Sequence, residues 1–212
     1  LALITGHIGR EAAGVNPLRG QNNVQGACDI GALPNVFTGY QKVTDEQARA
    51  KFSKAWGAKL SDKNGLTLTE IIRKSGEGDI KFLYIMGENP MVSDPDLNHV
   101  EQALNDSEFI VVQDIFMTET TAFADVILPA TSFAEKDGTF TNTERRGQRV
   151  RKAIEPIGQS KADWQIIMAL MSKMGLAQTY NHPNEIMDEI CQLTPLYGGI
   201  SFERIEDEGL QW

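Results

Sequence analysis

Gly87-Glu88-Asn89-Pro90 and Gln113-Asp114 each follow an apolar run and place small and hydrogen-bonding groups where that run ends. Ser93 and the stretch Pro129-Ala130-Thr131-Ser132 extend the pattern. Gly87 lets a ligand approach the backbone. Glu88, beside it, adds a carboxylate. Asn89 and Ser93 can cap a following helix and offer its N–H groups to a phosphate. Asp114 can accept from guanine N–H groups or from ribose hydroxyls. The structural alternative is that Asn89, Ser93 and Asp114 only cap helices, and for any one of them that reading is at least as good. Three polar strand ends together favour a site. No Gly-x-Gly-x-x-Gly and no Gly-x4-Gly-Lys-Ser/Thr occurs, which argues against an ordinary nicotinamide or P-loop site. Nucleophilic and metal constellations are also missing: there is no Gly-x-Ser-x-Gly, and His7, His99 and His182 are scattered without an HExxH pattern. Cys28 has no histidine near it in sequence, and Asp94 and Asp96 read as helix-start charges. The residues alone point to a nucleotide-like ligand site with its chemistry elsewhere.

Strand ends need strands. Residues 81–86, 109–113 and 125–129 are apolar runs of the kind found in buried parallel sheets. A helix is expected between the first two at 96–105, with Leu97, Val100 and Leu104 on one face, and a short one at 118–123 before the third. Strand, helix, strand, short helix, strand is the order of a parallel α/β sheet with right-handed crossovers. In such sheets ligands bind outside the carboxyl ends of the strands. The predicted fold is a doubly wound, Rossmann-like sheet flanked by helices, preceded by a Gly/Asn-rich segment that faces the ligand. That segment, 6–42, has little periodicity and carries seven glycines, Gly6 to Gly39, with one helical turn expected near 24–32. Further helices are expected at 45–55 after Thr44-Asp45-Glu46, at 69–75 behind Thr67, at 161–174 and at 183–193. The helix at 161–174 reads as strongly amphipathic, with Trp164, Ile167, Met168, Met171 and Met174 sharing a face. Residues 132–152 read as a loop or hairpin. The expected division is 1–42 as the glycine-rich segment and 43–212 as a single α/β domain.

The 212 residues are 41% hydrophobic and 23% charged, enough for a real core. A net charge of −9, from 29 acids and 20 bases, argues against a nucleic-acid surface and against adsorption to anionic membranes. No stretch approaches the ~18 apolar residues of a membrane span. The two cysteines, Cys28 and Cys191, form no CxxC, so a cluster or structural zinc held by this segment is not expected, and both read as buried free thiols. Leu1-Ala2-Leu3-Ile4 reads as the last turn of a helix stopped at Gly6, and both ends suggest an internal piece of a larger chain.

Two stretches carry a resemblance. One is Arg19-Gly20-Gln21-Asn22-Asn23-Val24-Gln25-Gly26-Ala27-Cys28-Asp29. The other is Ala124-Asp125-Val126-Ile127-Leu128-Pro129-Ala130, continued by Glu135-Lys136-Asp137-Gly138-Thr139-Phe140-Thr141-Asn142-Thr143-Glu144-Arg145-Arg146. Together they resemble the catalytic subunits of molybdopterin-dependent oxidoreductases, and most closely formate dehydrogenases, over essentially the whole chain. The resemblance implies a molybdopterin guanine dinucleotide cofactor carrying molybdenum or tungsten, and a 4Fe-4S cluster bound outside these residues. It implies contacts from Gly87, Glu88, Asn89 and Ser93 near the phosphate or guanosine, and from Gln113 and Asp114 to guanine or ribose. By the same resemblance Lys136 is a charge partner of the cofactor and Asp163 a guanine acceptor. Many relatives have Asp at the position of Asn89, a change that keeps an acceptor and removes a charge. Arg19 is implied to be the active-site arginine that holds the substrate carboxylate, with Gln21 shaping the pocket. A permanent cation with a planar fork suits formate. Without the resemblance Arg19 reads as a surface arginine in a loop. Arg145 and Arg146 are candidates for cofactor phosphates, with solvated or salt-bridged roles equally open. Formate, the rest of the same polypeptide, and electron-transfer or hydrogenase subunits are the implied partners, in the cytoplasm. The family's metal-ligating cysteine or selenocysteine and its iron–sulfur segment are not in this sequence, so no metal ligand is assigned and the piece alone is not expected to turn over substrate. The alternatives are a relative with another substrate, such as a nitrate reductase, or a metal-free electron-transfer or scaffold relative.

Overall fold

The computed structural model describes residues 1–176 and 179–212. Its helices are α1 (Val24–Asp29), α2 (Glu46–Trp56), α3 (Leu68–Gly76), α4 (Pro90–Ser93), α5 (Leu97–Asp106), α6 (Asp163–Lys173) and α7 (Pro183–Leu193). Its strands are β1 (Phe82–Met86), β2 (Phe109–Asp114), β3 (Val126–Pro129), β4 (Gly138–Thr141), β5 (Arg146–Val150) and β6 (Leu210–Gln211). The chain divides into two compact units. One comprises residues 1–63, 138–149 and 184–212, the other 64–137 and 150–183. The break expected after residue 42 is therefore not where the contacts divide. Residues 43–63 belong with the glycine-rich segment, because Phe52 of α2 is fully buried against Phe37 at 4.6 Å between ring centroids.

The second unit is built on a parallel sheet in the order β1-β2-β3. Met86 pairs with Gln113 and Asp114 with Pro129, so the carboxyl ends of the three strands finish within a residue of each other. Alternation sends Leu83, Ile85, Ile110 and Val112 to one face, where they pack with Ile72 of α3 and with Val100, Ala103 and Leu104 of α5. Burying each such aliphatic side chain is worth ~1.5–3 kcal/mol, far more than helix propensity supplies. Glu70 sharpens the start of α3 by accepting from both the backbone N–H (2.8 Å) and the hydroxyl (2.7 Å) of Thr67. The opposite sheet face carries Tyr84 and Gln113, met by the start of α6. The strand order runs without reversal, so these three strands do not by themselves form the doubly wound arrangement, whose switch point needs one. The short helix expected at 118–123 is a 3₁₀ turn, Glu119–Phe123. α6 forms where it is expected, with its apolar face unevenly covered. Ile166 is buried, whereas Ile167 is 39% and Met174 79% exposed. The chain enters α6 through a parallel bridge between Ala130 and Lys161; Ala162 and Ile166 are buried, while Trp164, Met168 and Met171 are half-buried.

In the first unit the glycine-rich segment forms the expected helical turn as α1, behind Asn23 at φ 59°. β4, β5 and β6 form a small sheet, with β4 and β5 joined by a tight turn at 142–145, the hairpin alternative for 132–152. Met187 of α7, Tyr197, Ile200 and Ile205 make its apolar cluster. Cys28 and Cys191 are free and only half-buried. No helix among the described residues is long and apolar enough to cross a membrane.

Candidate functional site

The level strand ends of the second unit gather most of the expected site. Gly87 turns the chain at φ 62°, with nothing near the position a Cβ would take, and its N–H donates to the Gln113 carbonyl at 2.9 Å. The Glu88 carboxylate accepts from the Ser93 hydroxyl at 2.6 Å and from the Asn89 N–H at 3.1 Å. Asn89 makes no capping bond to α4. Its side-chain oxygen instead accepts from the Thr120 hydroxyl (2.7 Å) and N–H (3.3 Å), and its amide donates to Glu119 at 2.7 Å. That amide is the main reason the Glu119 carboxyl lies below its ordinary range. The simple capping role expected for Asn89 is thus replaced by a tie between the loop after β1 and the 3₁₀ turn after β2. A four-residue helix also offers too little dipole to hold an anion by itself. Asp114 accepts from the Phe116 N–H at 3.0 Å, closing a local turn after β2.

Beside these loops runs a chain of polar side chains. Tyr84 donates to Gln113, which is fully buried and donates through its amide to Asp163 at 2.7 Å. The other Asp163 oxygen is paired with Lys136, whose ammonium also donates to the Thr131 carbonyl at 3.2 Å. Burial first, and the Asp163 charge second, push the Tyr84 hydroxyl above its ordinary range, so it stays a donor. Beside Lys136 in sequence, the Glu135 carboxylate accepts from the Ser132 N–H (2.8 Å) and the Ile157 N–H (2.9 Å). Those backbone donors hold the Glu135 carboxyl low, the Ser132 N–H foremost. The hydroxyl of Thr131, 2% exposed, has no hydrogen-bond partner. A buried orphan beside a lysine, a glycine with open space above it and an aspartate with two acceptor sites in use out of about four all suit a polar, phosphate-bearing ligand.

Arg19 and Gln21 belong to the first unit. They line a cavity of about 260 Å³ with Asn23, Gln25, Thr141 and Gln148. Both are exposed, and the loop before α1 carries them. Behind the cavity lies a cluster that sequence reading missed. Asp29, 1% exposed, accepts from the amide of Gln25 (2.7 Å), the hydroxyls of Tyr40 (2.8 Å) and Tyr197 (2.9 Å), and the indole of Trp212 (3.0 Å). Burial, then the Asp29 contact, pushes Tyr40 up to about 12. Burial likewise raises Tyr197. The only available signal was an aspartate at the end of an otherwise uncharged helical turn; two of its four partners come from 168 and 183 residues away. No group of three or more His, Cys, Asp or Glu side chains able to hold a metal occurs among the described residues.

A family profile described as Molybdopterin oxidoreductase matches residues 1–173. The alpha subunit of an F420-dependent formate dehydrogenase from Methanocaldococcus jannaschii is 58% identical over all of this chain and 31% of its own length. The alpha subunit of F420-dependent formate dehydrogenase 2 from Methanococcus maripaludis is 55% identical with the same coverage. A Bacillus subtilis protein named probable oxidoreductase YjgC is 49% identical over all of this chain and 22% of its own. This chain therefore spans about a third or less of these relatives. Among solved structures, acetylene hydratase from Pelobacter acetylenicus superposes with a TM-score of 0.56 at 19% identity, covering 76% of this chain and 23% of that one. That likeness is one of fold alone.

Proposed function

This chain belongs to the molybdopterin oxidoreductase family, and from that premise we propose that it is the cofactor-binding portion of a formate dehydrogenase catalytic subunit. The observation that carries the reading is the gathering of Asn89, Ser93, Gln113, Asp114, Lys136 and Asp163 at one level edge of the parallel sheet. The names of the relatives that match the whole chain supply the substrate.

A molybdopterin guanine dinucleotide suits this edge. Asp163 retains free acceptor positions for guanine N–H groups, and Asp114 offers the same to guanine or ribose. Lys136 supplies a cation for the phosphates, Gly87 leaves room for the backbone approach, and Ser93 adds a hydroxyl beside it. The bound cofactor, with molybdenum or tungsten, supplies the two-electron acceptor, and a 4Fe-4S cluster outside these residues carries electrons onward. Arg19 holds the formate carboxylate with its planar fork and so orients the C–H bond that breaks. Gln21 orients the same anion. Electron-transfer subunits and a cytoplasmic location complete the reading.

The test uses the complete polypeptide. Arg19→Ala removes formate-dependent dye reduction while metal and dinucleotide content stay near native, and Asp163→Ala lowers cofactor content instead. Formate turnover retained in Arg19→Ala defeats the catalytic assignment.

A further inference from the structure

Arg19 also lines a second cavity, about 380 Å³, together with Asn16, Gln25, Arg145 and Gln211. Among the described residues neither Arg19 nor Arg145 has a carboxylate within ion-pair distance, whereas Arg73, Lys81, Arg146 and Arg149 each do. Glu144 lines the same cavity, but its carboxylate is engaged by Arg146 at 2.9 Å. Two unpaired guanidiniums therefore meet one polar cavity in a chain of net charge −9.

Arg145 is held there with some effort. Its backbone lies at φ 67°, a left-handed conformation that costs a non-glycine residue ~1–3 kcal/mol. Its N–H donates to the Asn142 carbonyl at 2.9 Å, and its carbonyl accepts from the Trp212 N–H at 3.2 Å. Its guanidinium lies 5.2 Å from the Trp212 ring centroid. Trp212 is anchored in turn, because its indole donates to buried Asp29 at 3.0 Å. Asp29 also holds Gln25, which lines both Arg19 cavities.

We propose that Arg145 is a specificity-determining residue: with Arg19 it forms a two-arginine site for a small monocarboxylate anion. The proposal rests on the reading of Arg19 as the arginine of the substrate carboxylate. An anion between two guanidiniums relieves their repulsion and uses both planar forks. Glu144 in the wall disfavours a dianion. Arg145 attracts and holds the anion before and during reaction alike, which lowers KM without raising kcat.

The complete, cofactor-loaded subunit tests this. Arg145→Gln raises the KM for formate roughly tenfold and leaves kcat within about twofold. The fall of kcat/KM with added salt becomes shallower, since one steering cation is gone. Arg145→Lys restores part of the affinity and serves if the glutamine variant does not fold. Phenylglyoxal labelling of Arg145, read by peptide mass spectrometry, is slowed by saturating formate. An unchanged KM and salt slope overturns the proposal. So does loss of metal and dinucleotide with KM unchanged, or labelling slowed by inorganic phosphate but not by formate. If Arg19→Ala keeps formate turnover while Arg145→Gln still raises KM, the reading of Arg19 fails and the Arg145 site stands.

Discussion

Replacing Asp29 with Asn tests whether the buried carboxylate holds the first unit together. Four donors reach it, two on each oxygen, at 2.7 to 3.0 Å. Net of desolvation, a hydrogen bond to a charged group is worth ~1.5–3 kcal/mol and a neutral one ~0.5–1.5 kcal/mol, so each bond loses about 1 kcal/mol when the charge goes. The Trp212 indole can only donate, so the new amide oxygen must face Trp212 and Tyr197. The new amide nitrogen then faces Gln25 and Tyr40, both of which can turn to accept. Gln25 also donates to the Tyr40 hydroxyl at 3.1 Å, and turning it to accept gives up that bond, so the expected loss is the charge assistance, roughly 3–4 kcal/mol over four bonds, plus about 1 kcal/mol. Native-state hydrogen exchange at the amides of Ala27 to Gly31 reads this unit by itself, whatever the other does. Protection there should fall by that amount in Asp29→Asn and by only about 1–2 kcal/mol in Gln25→Ala, which removes a single bond to the carboxylate. A loss below about 1 kcal/mol in Asp29→Asn would show that the charge is not what stabilises the cluster.

The same cluster predicts alkaline weakness. Tyr40 is raised to about 12 from an ordinary 10. A group whose folded pKa is raised gives stability that is complete below the unfolded pKa and is lost as pH rises through the folded one. Urea unfolding should therefore show constant stability up to about pH 10 and a decline between pH 10 and 12 that Tyr40→Phe reduces; an equal decline in Tyr40→Phe refutes the assignment. Gly26→Ala should loosen β4, because a Cβ there would stand 2.2 Å from the Asn23 side-chain oxygen, which accepts from the Thr141 N–H at 2.9 Å. Asn23 must swing away and leave that buried amide unpaired, at ~1–3 kcal/mol. Unchanged exchange protection of the Thr141 amide would count against this.

Local pattern was enough for the elements that one stretch of chain determines alone. The apolar runs that became β1, β2 and β3 declare parallel strands, but only the central β2 is buried at most positions; β1 and β3 flank it and leave Phe82, Met86 and Val126 exposed. Asp45 declares the start of α2, and its carboxylate does accept from the Ala48 N–H at 2.9 Å. The polar residues at strand ends were legible for the same reason: a parallel sheet sends the ends of its strands to one edge whatever lies between them. The motifs in the glycine-rich segment and around Lys136 likewise carried the family.

Three things were settled only by tertiary structure. How deeply each residue of α6 is buried was set by its neighbours in space: Ile166 is buried, Trp164, Met168 and Met171 are half-buried, and Ile167 and Met174 are exposed. Asn89 has the composition of a cap, but Glu119 and Thr120, thirty-odd residues on, took its hydrogen bonds. Asp29 was given no role from sequence, because two of its four donors lie 168 and 183 residues away. A period, a cap or a strand end is a property of neighbours in sequence. The partner of a buried charge is a property of neighbours in space, and only the folded chain brings Gln25, Tyr40, Tyr197 and Trp212 to one carboxylate.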